Sequence, residues 1–242
     1  MNLSSHQPNP PHYTAQQAAL YGQLGIKGTT YEISFHAVAD LLGNINGKRF
    51  LDFGCGTGRS SAFLLAYGAA GVVGVDHNPH MIAAARSSGV EGAHFTQIKQ
   101  RIPVETECLD GAISTNVFIE IRDILSMMEV CHEINRVLKT GSPFIISTTN
   151  PAAFGCSFRN FEYATPEKRQ SGAVTTCRIF NGDAWVSVED TFWKEQDYVT
   201  VLESTRFRVT HVQYPEPADP QQWDTDEAAV PPFLILRAIK II

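Results

Sequence analysis

The chain has 242 residues, of which 43% are hydrophobic and 18% are charged, and its formal net charge is −6. A chain of this size can bury one substantial core, so we expect one domain with an elaboration. No segment approaches the roughly 18 apolar residues that span a bilayer, and the polar N-terminus lacks the layout of a signal peptide, so we expect a cytoplasmic protein without a membrane partner. No short window is rich in Lys or Arg, which argues against nucleic acid and favours a small uncharged or cationic partner. The five cysteines form no CxxC pair, so we predict free thiols and no metal site.

The predicted elements begin after a polar, proline-containing segment, residues 1–12, which we interpret as a mobile arm. Helical spacing of apolar residues between Tyr13 and Ala39 predicts two short helices. From Arg49 onward, apolar runs of strand length alternate with amphipathic helical segments, which favours a parallel sheet covered on both faces. The predicted strands are Arg49–Phe53, Gly71–Val75, Ala93–Gln97, Leu109–Thr115 and Pro143–Thr148, and the predicted helices between them are Ser60–Tyr67, Pro79–Ser87 and Ile124–Leu138.

The character of the chain changes after Asn150, where the sequence becomes aromatic and irregular. Two alternating stretches flank an Asn-Gly pair at 181–182, and this arrangement predicts a β-hairpin. A helix and two strands are then predicted to complete the sheet. The predicted elements are the hairpin strands Val174–Phe180 and Ala184–Asp190, the helix Lys194–Glu203 and the closing strands Arg208–Tyr214 and Pro232–Ile239.

The stretch LDFGCGTGRS, residues 51–60, places three glycines at every second position directly after a predicted strand. A strand, a glycine loop and a helix N-terminus in this order form a nucleotide-binding corner at the carboxyl edge of a parallel sheet. Side chains at Gly54, Gly56 and Gly58 would keep a ligand off the backbone, and the oriented N–H groups favour a carboxylate or phosphate nearby. An ordinary tight turn is the alternative interpretation of the glycines alone.

The second predicted strand, GVVGVD, ends in Asp76, where its tip should lie beside the glycine loop. A carboxylate at that place can accept two hydrogen bonds from ribose hydroxyl groups. The alternative is that Asp76 caps the helix that begins near Pro79, a role that Asn78 could also fill.

Together these motifs resemble those of the class I S-adenosylmethionine-dependent methyltransferases. The resemblance covers residues 49–150, and its motifs are Leu51–Gly58, Val75-Asp76 followed by Met81, Leu109–Ile113 and Glu133–Gly141. The spacing G-x-G-x-G separates the chain from nicotinamide dehydrogenases, whose loop usually reads G-x-G-x-x-G. The resemblance implies an α/β fold, a three-layer Rossmann-like arrangement with a mostly parallel sheet, an antiparallel C-terminal strand and a lid inserted after the fifth strand.

The same resemblance divides the chain by role. Residues 1–48 would form an N-terminal arm and helical cap, and residues 49–150 would bind the cofactor. Residues 151–193 would be a substrate lid with the hairpin, and residues 194–242 would complete the sheet.

The resemblance also assigns residues to the cofactor, S-adenosylmethionine, whose product is S-adenosylhomocysteine. The glycine loop would hold the methionine part, and one acid on each of the first two strands would bind the amino group and the ribose. Two residues after the second strand would flank the adenine, and one after the fourth strand would lie near the sulfonium. The loop residues are Gly54, Cys55, Gly56, Thr57 and Gly58. Asp52 would bind the amino group and Asp76 the ribose, His77 and Met81 would flank the adenine, and Asn116 would lie near the sulfonium. Many relatives place an acid after the third strand for the adenine amino group, but this chain has Gln97-Ile98-Lys99-Gln100, so that contact stays open.

Four residues are candidates for substrate contact: Tyr13, Tyr21, Phe118 and Asn150. The two tyrosines sit where relatives cover the cofactor with an N-terminal helix, although plain core packing is an equal alternative. The aromatic residues of 151–193 suit an apolar or planar acceptor in a closed pocket, or they pack the hairpin onto the sheet.

The function implied by the resemblance is methyl transfer from S-adenosylmethionine to an O, N or C atom of a small, apolar or aromatic metabolite, as in secondary metabolism, by a monomer or homodimer. No catalytic residue is singled out, because an activated methyl group requires positioning of the acceptor more than a nucleophilic triad. A non-methylating, cofactor-binding member of the fold is one alternative. A dinucleotide oxidoreductase is another, and the glycine spacing disfavours it.

Overall fold

The computed structural model describes residues 13–242, so the predicted mobile arm, residues 1–12, lies outside the described residues. The described chain forms a seven-stranded sheet and a three-stranded sheet. The helices are α1 (Ala15–Gly22), α2 (Tyr31–Leu42), α3 (Arg59–Ala66), α4 (Pro79–Ser87), α5 (Ile124–Val137) and α6 (Glu195–Ser204). The strands are β1 (Arg49–Phe53), β2 (Gly71–Asp76), β3 (Ala93–Gln97), β4 (Gly111–Thr115), β5 (Pro143–Thr149), β6 (Phe161–Tyr163), β7 (Ala173–Phe180), β8 (Trp185–Phe192), β9 (Phe207–Gln213) and β10 (Phe233–Lys240).

The large sheet has the strand order β3-β2-β1-β4-β5-β10-β9. The first five strands pair in parallel, and β10 pairs antiparallel with both β5 and β9. This arrangement confirms the predicted fold class, including the antiparallel C-terminal strand. Because β1 lies where the strand order reverses direction, its carboxyl end opens onto a crevice of the kind in which open α/β sheets bind ligands.

Helices cover both faces of the large sheet. On one face, α2 and α3 pack with the three-stranded sheet into one hydrophobic cluster, and on the other face α5 and α6 form a second. Adjacent residues of β1 divide between the clusters, with Phe50 in the first and Leu51 in the second. Among the described residues, no helix is both long and apolar enough to cross a membrane.

The three-stranded sheet is formed by β6, β7 and β8, all antiparallel. The β7–β8 pair confirms the predicted hairpin, and Gly182 has the positive φ of 104° that the turn requires. Side chains along β8 alternate between exposed and buried positions, and the buried face packs on the α2 side of the large sheet. The sequence around β6 was predicted to be irregular, because three residues are too few to show the alternation of buried and exposed side chains that marks a strand.

Most of the predicted elements differ from the structure by one or two residues at a boundary. The fourth strand was predicted to begin at Leu109, but β4 begins at Gly111, and Leu109 forms only an isolated bridge with Leu138. A Cβ atom on Gly111 would lie 2.3 Å from Cε1 of Phe50, so this strand can approach β1 only without a side chain there. The third helix begins at Arg59, one residue before its predicted start.

Candidate active site

The glycine loop after β1 turns through three residues with positive φ: 72° at Gly54, 52° at Gly56 and 95° at Gly58. The N–H groups of Gly54 and Cys55 donate to the carbonyl oxygen of Val75 at 2.7 and 2.9 Å, which ties the loop to the end of β2. The loop therefore occupies the crevice at the carboxyl ends of β1 and β2.

The three glycines lack side chains for different reasons. A Cβ atom on Gly54 would lie 2.1 Å from Cγ2 of Val117, and one on Gly58 would lie 2.9 Å from Cζ of Phe95. On Gly56, the nearest described atoms would be Cε1 of Tyr21 at 3.8 Å and Sδ of Met81 at 4.0 Å. The structure thus distinguishes the three glycines: Gly54 and Gly58 make room for the protein itself, whereas a Cβ atom on Gly56 would make only van der Waals contacts, with Tyr21 and Met81.

Asp76 lies directly against this loop. Its Oδ2 atom accepts the N–H of Gly56 at 2.9 Å, and its Oδ1 atom accepts the N–H of Asn78 at 2.8 Å. Burial raises the pKa of Asp76 against these hydrogen bonds. Since each carboxylate oxygen can accept more than one hydrogen bond, both retain capacity for a ligand.

The cap of α4 is Asn78, whose Oδ1 accepts the N–H groups of His80 and Met81 at 2.8 and 3.3 Å. The alternative role for Asp76, capping this helix, is therefore filled by its neighbour. Asp76 instead stabilises the glycine loop by accepting the N–H of Gly56.

Asp52, on β1, is fully buried beneath the start of α3. Its Oδ2 atom accepts the hydroxyl groups of Ser60 and Ser61 at 2.7 and 2.6 Å. Its Oδ1 atom has no hydrogen-bond partner among the described residues. Burial raises the pKa of Asp52 to about 6, and the two hydroxyl groups limit that rise. The free Oδ1 is an acceptor that a cationic ligand group could satisfy.

The other predicted cofactor residues lie around the loop in different ways. The Cys55 side chain is buried below it with Ile82 and Phe95, so the backbone of Cys55 is what borders the crevice. The Thr57 side chain lies 3.5 Å from the Cβ position of Gly22, at the end of α1. His77 is half-exposed, with its Nδ1 3.7 Å from Oδ1 of Asp76.

The N-terminal segment lies over the loop through two tyrosines. The rings of Tyr13 and Tyr21 are 5.7 Å apart, and the backbone carbonyl of Tyr13 accepts Nδ2 of Asn78 at 2.9 Å. The Tyr21 hydroxyl accepts Nη2 of Arg59 at 2.8 Å, and this guanidinium lies 4.3 Å from the ring centroid of Tyr31.

A cavity lies between this N-terminal segment, the end of β4 and the three-stranded sheet. Six aromatic side chains line it: Tyr13, Tyr21, Tyr31, Phe161, Tyr163 and Phe233. Asn116, which follows β4 with a positive φ of 57°, also lines the cavity. Because Tyr21 contacts both this cavity and the space above Gly56, the cavity adjoins the glycine loop.

Two predicted substrate residues lie elsewhere. Phe118 is buried on the opposite side of the sheet, with its ring 6.0 Å from that of Phe144. Asn150 serves the backbone: its Oδ1 accepts the N–H of Ala152 at 2.9 Å, and its Nδ2 donates to the carbonyl of Pro231 at 2.7 Å. The structure therefore places Phe118 in the core and Asn150 at a turn, and neither residue lines the cavity.

The cavity contains two acidic residues that are not among the predicted site residues. Asp190, on β8, is 3% exposed; its Oδ2 accepts the Tyr163 hydroxyl at 2.8 Å, and its Oδ1 has no partner among the described residues. Burial raises the pKa of Asp190 to about 6. Glu120, just after β4, also lines the cavity, and its pKa is raised well above the usual value by burial and by the carboxylates of Asp190 and Asp76.

The signal for Asp190 was present in the alternation of β8. Val186, Val188 and Phe192 are its buried positions, and Asp190 shares their face. An acid in phase with apolar residues is the pattern that predicts a buried carboxylate.

Comparison with known proteins places this site in context. Residues 50–141 match the family model of a methyltransferase domain. The N-demethylindolmycin N-methyltransferase of Streptomyces griseus is 26% identical over 201 residues, which are 79% of this chain and 81% of that protein.

Two solved structures share the fold. One, from Listeria monocytogenes and described as an S-adenosylmethionine-dependent methyltransferase, has a TM-score of 0.68 and 21% identity, and the match covers 89% of this chain and 100% of that chain. The magnesium protoporphyrin IX methyltransferase of Synechocystis, crystallised with S-adenosylhomocysteine, has a TM-score of 0.58 and 16% identity, over 87% of this chain and 83% of that one.

Proposed function

This chain belongs to the class I S-adenosylmethionine-dependent methyltransferases, and from that membership we propose that it methylates an O, N or C atom of a small, largely apolar metabolite. The observation that carries the proposal is the aromatic cavity beside Asn116 and the glycine loop. A concave pocket lined mainly by aromatic side chains is typical of sites for small, largely apolar molecules. The cavity lies behind the N-terminal tyrosines and the three-stranded sheet.

The residues around the loop fit S-adenosylmethionine. A Cβ atom on Gly56 would meet no described atom closer than 3.8 Å, Asp76 lies at the tip of β2, and Asp52 keeps an unpartnered oxygen below. We assign Asp52 to the amino group and Asp76 to the ribose hydroxyls, with His77 and Met81 beside the adenine and Asn116 toward the sulfonium. When bound, S-adenosylmethionine supplies an electrophilic methyl group on a positively charged sulfur.

The chain itself contributes to the reaction by positioning the acceptor and by excluding water. Tyr13 and Tyr21 border both the loop region and the cavity. An acceptor enclosed in the cavity is therefore held next to the methyl donor at the loop. Holding two reactants in line contributes on the order of 7–11 kcal/mol in favourable intramolecular models. A general base is needed only where the acceptor must lose a proton before attack.

A role in secondary metabolism is supported by the Streptomyces griseus relative, whose name records N-methylation of N-demethylindolmycin and whose similarity extends over 79% of this chain. The match extends past the cofactor-binding core into the region of the cavity walls. Action in the cytoplasm and a monomeric or dimeric state remain predictions from the sequence.

The proposal is tested by following a labelled methyl group. The purified chain is incubated with methyl-labelled S-adenosylmethionine and an extract of the producing cell, and the products are divided by filtration into small molecules and macromolecules. We expect the label in a small molecule of the filtrate other than S-adenosylmethionine, and no such labelled product with the Gly56→Val variant. Label that appears only on protein or nucleic acid would overturn the small-molecule assignment.

A further inference from the structure

Asp190 is the least expected side chain of the cavity. It occupies a buried position on the apolar face of β8, with Val188 and Phe192 at the neighbouring positions of that face. The structure satisfies its Oδ2 atom through Tyr163, whose hydroxyl also shares a hydrogen bond with Oγ1 of Thr149 at 2.8 Å. Its Oδ1 atom, by contrast, is buried without an N–H or O–H partner among the described residues, and the Cys177 thiol, a weak donor, also faces the carboxylate. A buried acceptor left open in this way requires a donor from outside the protein or a proton.

A second carboxylate, Glu120, enters the same cavity from the turn after β4. Two acids that share an apolar cavity repel each other when both are charged, and the Asp190 carboxylate contributes to the raised pKa of Glu120. Among the described residues that line the cavity, none is Lys, Arg or His. The nearby Arg59 guanidinium contacts the wall residues Tyr21 and Tyr31 from outside, so the two acids have no cation among the described residues that line the cavity.

The walls of the cavity suit a cation as well. The rings of Tyr31, Phe161 and Phe233 lie within 6.0 Å of one another, centroid to centroid. Aromatic faces attract a positively charged group through their quadrupole, and they also bury apolar groups. A molecule with an apolar body and one positive nitrogen would satisfy both the rings and the acids.

On the premise of the proposed function, we propose that the acceptor is a compact amine, bound as an ammonium ion whose N–H groups donate to Oδ1 of Asp190 beside Glu120, with its apolar part against the aromatic walls. Asp190 is then the acceptor-binding residue, and Glu120 also interacts with the positive charge of the ammonium ion. One ammonium ion compensates one of the two carboxylates, whereas a neutral alcohol would compensate neither and an anionic acceptor would be repelled.

The transfer that follows balances as an amine methylation. The ammonium first gives a proton to the Asp190 carboxylate, which frees the lone pair on nitrogen. That lone pair forms the new N–C bond while the S–C bond breaks and leaves its electron pair on sulfur. The proton held by Asp190 then leaves to solvent. The raised pKa of Asp190, about 6, suits a carboxylate that accepts a proton from a bound ammonium.

Binding can be measured without turnover by using the full chain saturated with S-adenosylhomocysteine. The probes are ethylamine, isopropylamine and their N-methyl derivatives, each compared with its matched alcohol and matched carboxylate by calorimetry. We expect each bound amine to exceed its alcohol in affinity by at least tenfold, and the carboxylates not to bind. If no amine of the panel binds better than its matched alcohol, the proposal is wrong.

Two variants locate the effect. Asp190→Asn should reduce amine affinity at least tenfold while leaving the affinity for S-adenosylhomocysteine unchanged, which also reports that the variant is folded. Glu189→Gln is the matched control, because it removes a charge from the adjacent, exposed position of β8, where Glu189 pairs with Arg122. Equal loss of amine binding in both variants, or no loss in Asp190→Asn, would contradict the assignment. Glu120→Gln gives a second, independent test with the same expectation.

The labelling experiment separates this inference from the proposed function. Label in the small-molecule filtrate on nitrogen supports both, as judged by product fragments that lose methylamine in mass spectrometry. Label in the filtrate on oxygen or carbon leaves the proposed function standing and overturns the amine assignment. Label only on macromolecules overturns the proposed function itself.

Discussion

Gly56 is the residue on which the cofactor site depends most directly. Its φ of 52° excludes most side chains on backbone grounds, and the space around its Cβ position is open as far as Tyr21 and Met81. The other two glycines of the loop meet Val117 and Phe95 instead. A substitution at Gly56 therefore fills ligand space, whereas substitutions at Gly54 or Gly58 would first disturb the protein's own packing.

We predict that Gly56→Val abolishes binding of S-adenosylhomocysteine, because the branched side chain would occupy the volume next to the loop backbone that the ligand is proposed to fill. The measurement is calorimetry, with circular dichroism to show that the fold persists. Gly47→Val is the matched control: Gly47 also has a positive φ, 75°, with no described atom within 4 Å of its Cβ position, and it lies before β1, at the opposite edge of the sheet. Loss of binding in the control, or retained binding in Gly56→Val, would contradict the prediction.

Asp76 carries a second prediction at this scale. Replacing it with alanine removes the proposed ribose acceptor and also leaves the Gly56 N–H without its partner. We expect Asp76→Ala to weaken S-adenosylhomocysteine binding by about 1.5–3 kcal/mol, the usual contribution of hydrogen bonds to a charged group. Asp110→Ala is the control, since Asp110 likewise accepts a backbone N–H, from Arg49 at 2.9 Å, but at the far end of β1. Similar losses in both variants would indicate damage to the sheet and not to a ligand contact.

These residues show which parts of the site a sequence can reveal. The glycine loop and Asp76 were predictable because a strand, a turn and a strand tip are local features whose meeting follows from parallel pairing. Glu120 and Asp190 come from segments that meet only when the three-stranded sheet folds over the cavity, so chain position gave no sign that they share it. Phe118 was misplaced for the converse reason, because one residue of difference along a short turn decides which face of the sheet a side chain enters.

At the scale of elements, β8 combines two functions that usually conflict. Its buried face packs the three-stranded sheet onto the core through Val186, Val188 and Phe192, and the same face carries Asp190 into the cavity. A carboxylate among apolar neighbours makes the strand less stable than it would otherwise be. Binding residues commonly lower stability in this way, and the loss is recovered when a ligand of opposite charge is bound.

This conflict predicts a pH-dependent gain in stability for Asp190→Asn. The carboxyl group has a pKa of about 6 in the folded chain against 3.8 in the unfolded chain, so the folded state retains its proton more strongly. Folding stability from this group is therefore undiminished below pH 3.8 and falls as the pH rises through 6, by up to about 3 kcal/mol. Asparagine has no such charge, and its oxygen can still accept the Tyr163 hydroxyl.

The expected result is a melting temperature for Asp190→Asn that exceeds the wild-type value at pH 7.5, with a difference that is nearly constant above pH 6 and shrinks as the pH falls below 6. The groups that face Asp190 are the hydroxyl of Tyr163 and the thiol of Cys177, with Glu120 across the cavity. Glu189→Gln should show no such trend, because Glu189 is exposed. A variant less stable than wild type at pH 7.5, or a difference independent of pH, would contradict the raised pKa.

The elements themselves were largely predictable, and the exceptions have physical causes. Strands β1 to β5 are apolar runs between helices, and the Asn-Gly turn marks the β7–β8 hairpin, so local pattern suffices for both. Strand β6 has three residues and pairs with β7 across a long connection, and a segment that short carries no readable period. Its existence depends on tertiary packing of Phe161 and Tyr163 around the cavity.

At the scale of the whole molecule, α1 is where three parts of the chain meet. The Tyr13 carbonyl accepts Asn78 from the start of α4, and Tyr21 accepts Arg59 from α3. The carbonyl of Leu20 accepts Nδ2 of Asn181, at the tip of the β7–β8 hairpin, at 3.3 Å. A helix of 8 residues with one buried residue, Ala18, has little stability of its own. The helical conformation of α1 therefore depends on these contacts and on the groups against which the helix packs.

If α1 covers the cofactor, a bound ligand should stabilise α1 more than any distant helix. We predict that S-adenosylhomocysteine slows amide hydrogen exchange in Ala15–Gly22 at least tenfold, because the ligand would supply a surface under Tyr21 and penalise opening of the helix. Helix α6, which packs on the opposite face of the sheet, is the internal control and should change little. The Gly56→Val variant, treated with the same ligand, should show no protection in either helix. Protection confined to the glycine loop, or equal in α1 and α6, would mean that the N-terminal helix does not cover the site, and the tyrosines would then be packing residues of the cavity wall.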